Sequence, residues 1–161
     1  MIHYKTNENI LESNAQVLVN PVNCVGVMGN GLALQFKGKF HDYFKDYKYR
    51  CTKDSVKLGR VNHYCLDKDN NKWLVSFPTK YNWRDKSEIS SIKSGLSDLR
   101  NFCVNFRVIS VAIPKLGCGL GGLDWNDVKP LVEEVFGDVT FDVYIYEWLT
   151  NNERSEWWNC T

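Results

Sequence analysis

Between Val17 and Phe36 the chain reads VLVNPVNCVGVMGNGLALQF, in which a β-branched apolar run gives way to two asparagines, three glycines and a breaker-free stretch of helix formers. Val17-Leu18-Val19 has the content of a buried strand. Asn20 and Asn23 fall where that strand should end, and Leu32-Ala33-Leu34-Gln35-Phe36 suits a helix. Strand, glycine loop and helix in this order are a unit of α/β architecture. Gly26, Gly29 and Gly31 let the backbone take φ > 0 and approach a ligand closely, and the helix N-terminus that follows offers unpaired N–H groups, so the unit suits a phosphate. By itself it is equally compatible with a plain tight turn.

The same order returns near the other end. Val108-Ile109-Ser110-Val111-Ala112-Ile113-Pro114 reads as a second buried strand, followed by Gly117, Gly119, Gly121 and Gly122 in LGCGLGG. Asp124-Trp125-Asn126-Asp127 then opens a helix with an apolar stripe of Val128, Leu131, Val132, Val135 and Phe136. Ligands of open α/β sheets bind outside the carboxyl ends of the strands, so the two loops are expected to clasp a pyrophosphate from both sides.

The rest of the chain fills in around these units. Ile2 to Lys5 reads as a first strand, with a turn or single helical turn after it. Phe40, Tyr43, Phe44, Tyr47 and Cys51 lie on one helical face and read as core. Val61–Leu66 and Trp73–Phe77 flank the polar cluster Asp67 to Asn71 as a hairpin, and Pro78 is expected to stop the second ladder, leaving Lys80 in the loop beyond a strand end. A long helix runs from about Ser87 to Phe106, with Ser87 and Glu88 as its start signal and Gly95 inside it, and 141–146 alternates as a last strand. The tail from Thr150 is either a short helix packing Trp157 or Trp158, or loose. Alternating strands and helices with one hairpin predict a single α/β domain over 1–161, a mixed sheet sandwiched between helices.

Twenty basic residues face nineteen acidic ones, a net charge of +1, so no global field steers the chain toward nucleic acid. Cys24, Cys51, Cys65, Cys103, Cys118 and Cys160 form no CxxC pair and the N-terminus lacks a signal-peptide pattern, which predicts reduced thiols and a cytoplasmic location. His3, His41 and His63 are scattered, so no metal site is expected. No apolar run approaches the ~18 residues of a membrane span. No cofactor is called for, and a monomer is expected.

Three separated segments, Asn20 to Lys37, Phe77-Pro78-Thr79-Lys80 with Trp83-Arg84, and Pro114 to Trp125, resemble the macrodomain family. Within it they are most similar to the DarG-type branch of DNA ADP-ribosyl glycohydrolases and to the human terminal ADP-ribose glycohydrolase. The resemblance spans nearly the whole chain and implies a three-layer α/β/α fold with a mixed central sheet, an ADP-ribose ligand and an ADP-ribosylated substrate, nucleic acid first among them. It places ADP-ribose against Asn9, Ile10, Asn20, Val25, Gly26, Val27, Met28, Gly29, Asn30, Gly31, Leu116, Gly117, Cys118, Gly119, Leu120, Gly121 and Gly122. Lys80 and Asn23 are the implied catalytic residues, and Trp83 and Arg84 are possible nucleic-acid contacts. Asn9 departs from the aspartate that many macrodomains place there, and Gly121 stands where the human enzyme has an aspartate after GCGL.

The chemistry has a use for Lys80. Cleaving a glycosidic link at the distal ribose needs an activated water or a nucleophile at the anomeric carbon, and an amine of lowered pKa can attack it through an opened-sugar imine. The same lysine could protonate the leaving group or stabilise charge, or it could be a solvated surface residue. Asn23 could equally bond its own turn. Cys24 and Cys118, with no histidine close in sequence, read as small fillers. The leading expectation is a hydrolase that removes ADP-ribose from modified macromolecules, with thymidine in DNA as acceptor. An ADP-ribose 1″-phosphate phosphatase and a non-catalytic ADP-ribose reader are the alternatives. A Rossmann dehydrogenase is disfavoured because the glycines run GxxGxG.

Overall fold

The computed structural model describes residues 1–147; the expected packing of Trp157 or Trp158 and the Cys160 thiol lie outside the described residues. The elements are β1 (Ile2–Thr6), β2 (Val17–Asn23), α1 (Gly31–Lys39), α2 (His41–Thr52), β3 (Asn62–Asp67), β4 (Lys72–Lys80), α3 (Ile89–Asn105), β5 (Ser110–Ile113), α4 (Trp125–Phe136) and β6 (Asp142–Glu147), with a 3₁₀ turn at Ile10–Glu12. They form one sheet of order β1-β6-β5-β2-β4-β3. Every neighbouring pair is parallel except the β3–β4 hairpin. The mixed sheet lies between α1 and α2 on one face and α3 and α4 on the other.

The pleat of β2 divides the core, because successive side chains point to opposite faces. Val17 and Val19 join the cluster under α3 and α4 with Phe77, Ile92, Leu96 and Val132. Leu18 and Val22 join the other, with Phe36, Tyr43 and Tyr47. The aromatic face of α2 is thus core, Tyr43 and Tyr47 being fully enclosed. Among the described residues the five cysteines are free thiols, and no helix is long and apolar enough to cross a membrane.

Two local expectations need correction. Pro78 does not end its strand; β4 runs on to Lys80, which pairs with Asn23 of β2. β3 accompanies β4 only as far as Ser76, so from Phe77 onward β4 is an edge on that side, where a missing N–H costs no ladder bond. Of the expected start signal, Glu88 takes the N-cap position of α3 and Ser87 does not. Ser87 is buried in front of α3, and its N–H donates to the Gly121 carbonyl at 3.0 Å, tying the β4–α3 loop to the second glycine loop.

Gly95, a weak residue for a helix interior, is explained by packing, since a Cβ there would lie 2.7 Å from Phe77 Cε1. Gly95→Ala is therefore expected to lower the Tm by several degrees, because an overpacking cost of about 1–3 kcal/mol outweighs the ~1 kcal/mol that alanine adds to a helix. A thermal melt checks this; an unchanged or higher Tm would mean that α3 and β4 can separate freely.

Candidate functional site

The carboxyl ends of β2, β4, β5 and β6 share one edge of the sheet. β5 accompanies β2 only at Val17 and Leu18, so the sheet opens between these two strands from Val19 onward. Pro21 stands in the opened section, and two adjoining clefts meet beside it, both lined by Pro21, Leu32 and Lys115. This is the switch point of the topology, since β2 continues through the hairpin to β4 on one side while β5 lies on the other.

The larger cleft, of about 560 Å³, is walled by Asn23, Val27, Gly29 and Asn30 from the first glycine loop and by Gly117, Gly119, Leu120 and Gly121 from the second. Thr79 and Lys80 at the end of β4, and Trp83 and Arg84 beyond it, close the third side. Asn30 caps α1, its Oδ1 accepting from Gly31 N at 2.9 Å, so the positive end of that helix faces the cleft. The smaller cleft is mostly apolar, with Asn9, Ile10, Leu32, Pro114 and Tyr146 on its walls. Asn9 Oδ1 is turned back onto Leu11 N at 3.0 Å, capping the 3₁₀ turn.

Asn23 is 6% exposed and organises its loop. Its Oδ1 accepts from Val25 N (3.0 Å), Val27 N (3.3 Å) and Tyr47 Oη (2.9 Å), while Nδ2 donates to Val27 O at 2.7 Å. Beside it, Lys80 makes no ion pair among the described residues. Partial burial pushes its ammonium below the usual lysine range; Asp85 pulls the other way and Lys86 adds to the lowering. Asp124 makes no ion pair with it among the described residues; its Oδ1 caps α4 through Asn126 N at 2.9 Å. A lysine–aspartate pair built from position 121 has no room here: a Cβ on Gly121 would collide with Ser87 Oγ and lie 2.6 Å from the Gly117 carbonyl oxygen.

Trp83 and Arg84 stand at the cleft mouth, the guanidinium 4.6 Å from the centre of the indole. Trp83 is 49% exposed and Leu120, across from it on the second loop, 60%.

Several expected ligand residues shape the loops without walling the cleft. Asn20 is the clearest correction: the pleat turns it into the α1–α2 layer, where it is fully buried and its Nδ2 donates to Tyr43 Oη at 3.1 Å. The side chains of Met28, Leu116 and Cys118 are buried too. Gly26 (φ 86°) backs onto Lys48 and Cys51, Gly122 (φ 79°) onto Lys86, Gly31 starts α1, and Val25 is exposed away from both clefts. Burial pushes the Cys24 thiol up to about 11, which makes it a poor nucleophile at neutral pH. Conversely, Pro21, Leu32, Thr79, Lys115, Tyr146 and Glu147 line the clefts without having been singled out. Thr79, Lys115, Tyr146 and Glu147 sit at or just after a strand's carboxyl end, and that rule, applied to every parallel strand, would have found them.

Fold and site together define a macrodomain, and the chain belongs to that family: the Macro domain model matches residues 19–132. The chain is similar to the macrodomain of Mycobacterium tuberculosis DarG, with a TM-score of 0.87 at 38% identity over 91% of this chain and 97% of that one. The DNA ADP-ribosyl glycohydrolase of M. tuberculosis is 39% identical over 150 residues, which is 91% of this chain and 42% of that protein. Thermosipho africanus DarTG, whose structure is in complex with ADP-ribose, gives a TM-score of 0.83 at 33% identity, covering 91% of this chain and 41% of that one. The chain spans less than half the length of the DNA ADP-ribosyl glycohydrolases it matches.

Proposed function

We propose that this chain is a hydrolase that removes ADP-ribose from ADP-ribosylated nucleic acid, with thymidine in DNA as the acceptor. The observation that carries the reading is the register pair of Asn23 and Lys80, which sets a partly desolvated amine against the wall of a cleft formed by two glycine loops. In this reading the diphosphate takes backbone N–H groups from the loops and the N-terminus of α1. The adenine of ADP-ribose, its one flat ring system, occupies the smaller apolar cleft, and its distal ribose lies against Asn23 and Lys80. Lys80 then acts at the anomeric carbon or on the leaving base, with Asn23 holding the loop that seats the sugar. The named relatives support the reading: one similar to this chain at 39% identity is a DNA ADP-ribosyl glycohydrolase, and one at 33% has its structure in complex with ADP-ribose.

The exposed Trp83 ring, with Arg84 over it, supplies a face for a nucleobase and a charge for a phosphate. Trp83→Ala is expected to slow release from a modified oligonucleotide about tenfold, a stacked base being worth about 1–3 kcal/mol, while free ADP-ribose binds as before. Equal affinity and rate on the oligonucleotide would remove Trp83 from the acceptor site.

The experiment that tests the function offers thymidine-linked ADP-ribosyl DNA, ADP-ribosylated protein and ADP-ribose 1″-phosphate side by side. The fastest release is expected from DNA. Preferential hydrolysis of the 1″-phosphate would identify a phosphatase instead, and binding without turnover of any of them a reader.

A further inference from the structure

We infer that Tyr47, which the chemistry proposed above does not use, is a positioning residue for the reaction at Lys80; the inference rests on that proposed activity. Tyr43 and Tyr47 stand one turn apart on α2, both fully enclosed, and by packing alone they are equivalent core residues. Their hydroxyls are not equivalent. Tyr43 Oη meets Asn20 Nδ2 (3.1 Å) and Ser76 Oγ (2.5 Å) within the interior of the sheet. Tyr47 Oη reaches the first glycine loop and donates to both Asn23 O (2.8 Å) and Asn23 Oδ1 (2.9 Å).

From Asn23 the connection to Lys80 is short. Asn23 and Lys80 are register partners at the point where the β2–β4 ladder shifts. The next residue, Cys24, donates its N–H to the carbonyl of Tyr81, the neighbour of Lys80, at 2.8 Å. Asn23 and Cys24 therefore hold the backbone at the lysine and at the residue after it, and the Tyr47 hydroxyl is the support under Asn23 from α2. Burial pushes the phenol's pKa above its ordinary value, so it remains a neutral donor throughout the working range. Without the hydroxyl, Val25 N and Val27 N still close the Asn23 turn. The loop keeps its shape but loses the bond that sets its depth. Displacements of about 1 Å at a reacting group cost on the order of a hundredfold in rate.

The test compares Tyr47→Phe with Tyr43→Phe, each removing one buried hydroxyl from the same helix. Both are expected to melt at lower temperature than the wild type and, assayed below those temperatures, to bind ADP-ribose within about threefold of it. Only Tyr47→Phe is expected to lose kcat on the modified oligonucleotide, by about tenfold or more, with Tyr43→Phe within twofold of the wild type. Placed on Lys80→Ala, Tyr47→Phe should change the residual rate less than twofold, because its effect runs through the lysine. A Tyr47→Phe enzyme with wild-type kcat, a Tyr43→Phe enzyme equally impaired, or a full additional loss on the Lys80→Ala background would each overturn the role. A wild type that releases no ADP-ribose would instead overturn the proposed activity, and this role with it.

Discussion

Lys80→Ala is expected to reduce release of ADP-ribose from a thymidine-linked oligonucleotide by at least a hundredfold while leaving affinity for free ADP-ribose within a few-fold. A positioned acid, base or nucleophile contributes about 10²–10⁴ in rate, and a contact made mainly in the transition state affects turnover more than ground-state binding. Burial lowers the pKa of Lys80 from its ordinary 10.5, and for a base a lowered pKa means a larger share of free amine at neutral pH. If the free amine attacks, kcat rises with pH along a limb whose midpoint lies below 10.5, and that limb is missing in Lys80→Ala. Lys80→Arg should not restore activity, because a guanidinium stays protonated. An active arginine variant would identify charge stabilisation as the role, and a fully active alanine variant would remove Lys80 from the chemistry.

The second large effect is expected at Gly121. An alanine Cβ there collides with Ser87 Oγ, lies 2.6 Å from the Gly117 carbonyl oxygen and 3.0 Å from Ser87 Cβ. Ser87 cannot retreat independently, since its N–H is bonded to the Gly121 carbonyl, and the Gly117 oxygen is backbone, so the loop itself must open. Gly121→Ala should therefore weaken ADP-ribose binding more than tenfold by titration calorimetry and lower the Tm. Gly38→Ala is the control: nothing lies within 4 Å of its Cβ, and in the last turn of α1 alanine should leave stability unchanged or slightly raised without changing affinity. Wild-type affinity in Gly121→Ala would show that the second loop does not hold the diphosphate.

How far the amino-acid pattern reaches is clearest at residues of one type with different fates. Asn20 and Asn23 look alike in NPVN, yet the pleat buries the first under α2 while the register shift at Val22 and Asn23 brings the second to the cleft. Local periodicity carries no such information. Pro78 reads as a strand stop under a rule about paired neighbours, and β3 has already ended beside it; which strands lie alongside is a property of the whole sheet. Ser87 reads locally as part of a helix start, and its bond to Gly121 depends on a loop more than thirty residues away. By contrast, the strand–glycine–helix units and the apolar faces of α2, α3 and α4 are written locally, in β-branched runs, in glycines and in helical spacing. That is why the fold and the two loops could be anticipated while the hydrogen bonds that aim Asn23 and Lys80 could not.

The measurement that most directly tests the central claim is multiple-turnover release, with wild-type protein and a large molar excess of oligonucleotide carrying ADP-ribose on thymidine. Free ADP-ribose and unmodified oligonucleotide are followed together by ion-exchange chromatography. Many equivalents of both products per protein, formed in equal amounts and lost in Lys80→Ala, are the predicted result. Saturable binding of the oligonucleotide with no ADP-ribose released would contradict it and leave a cleft that holds the modification without cleaving it.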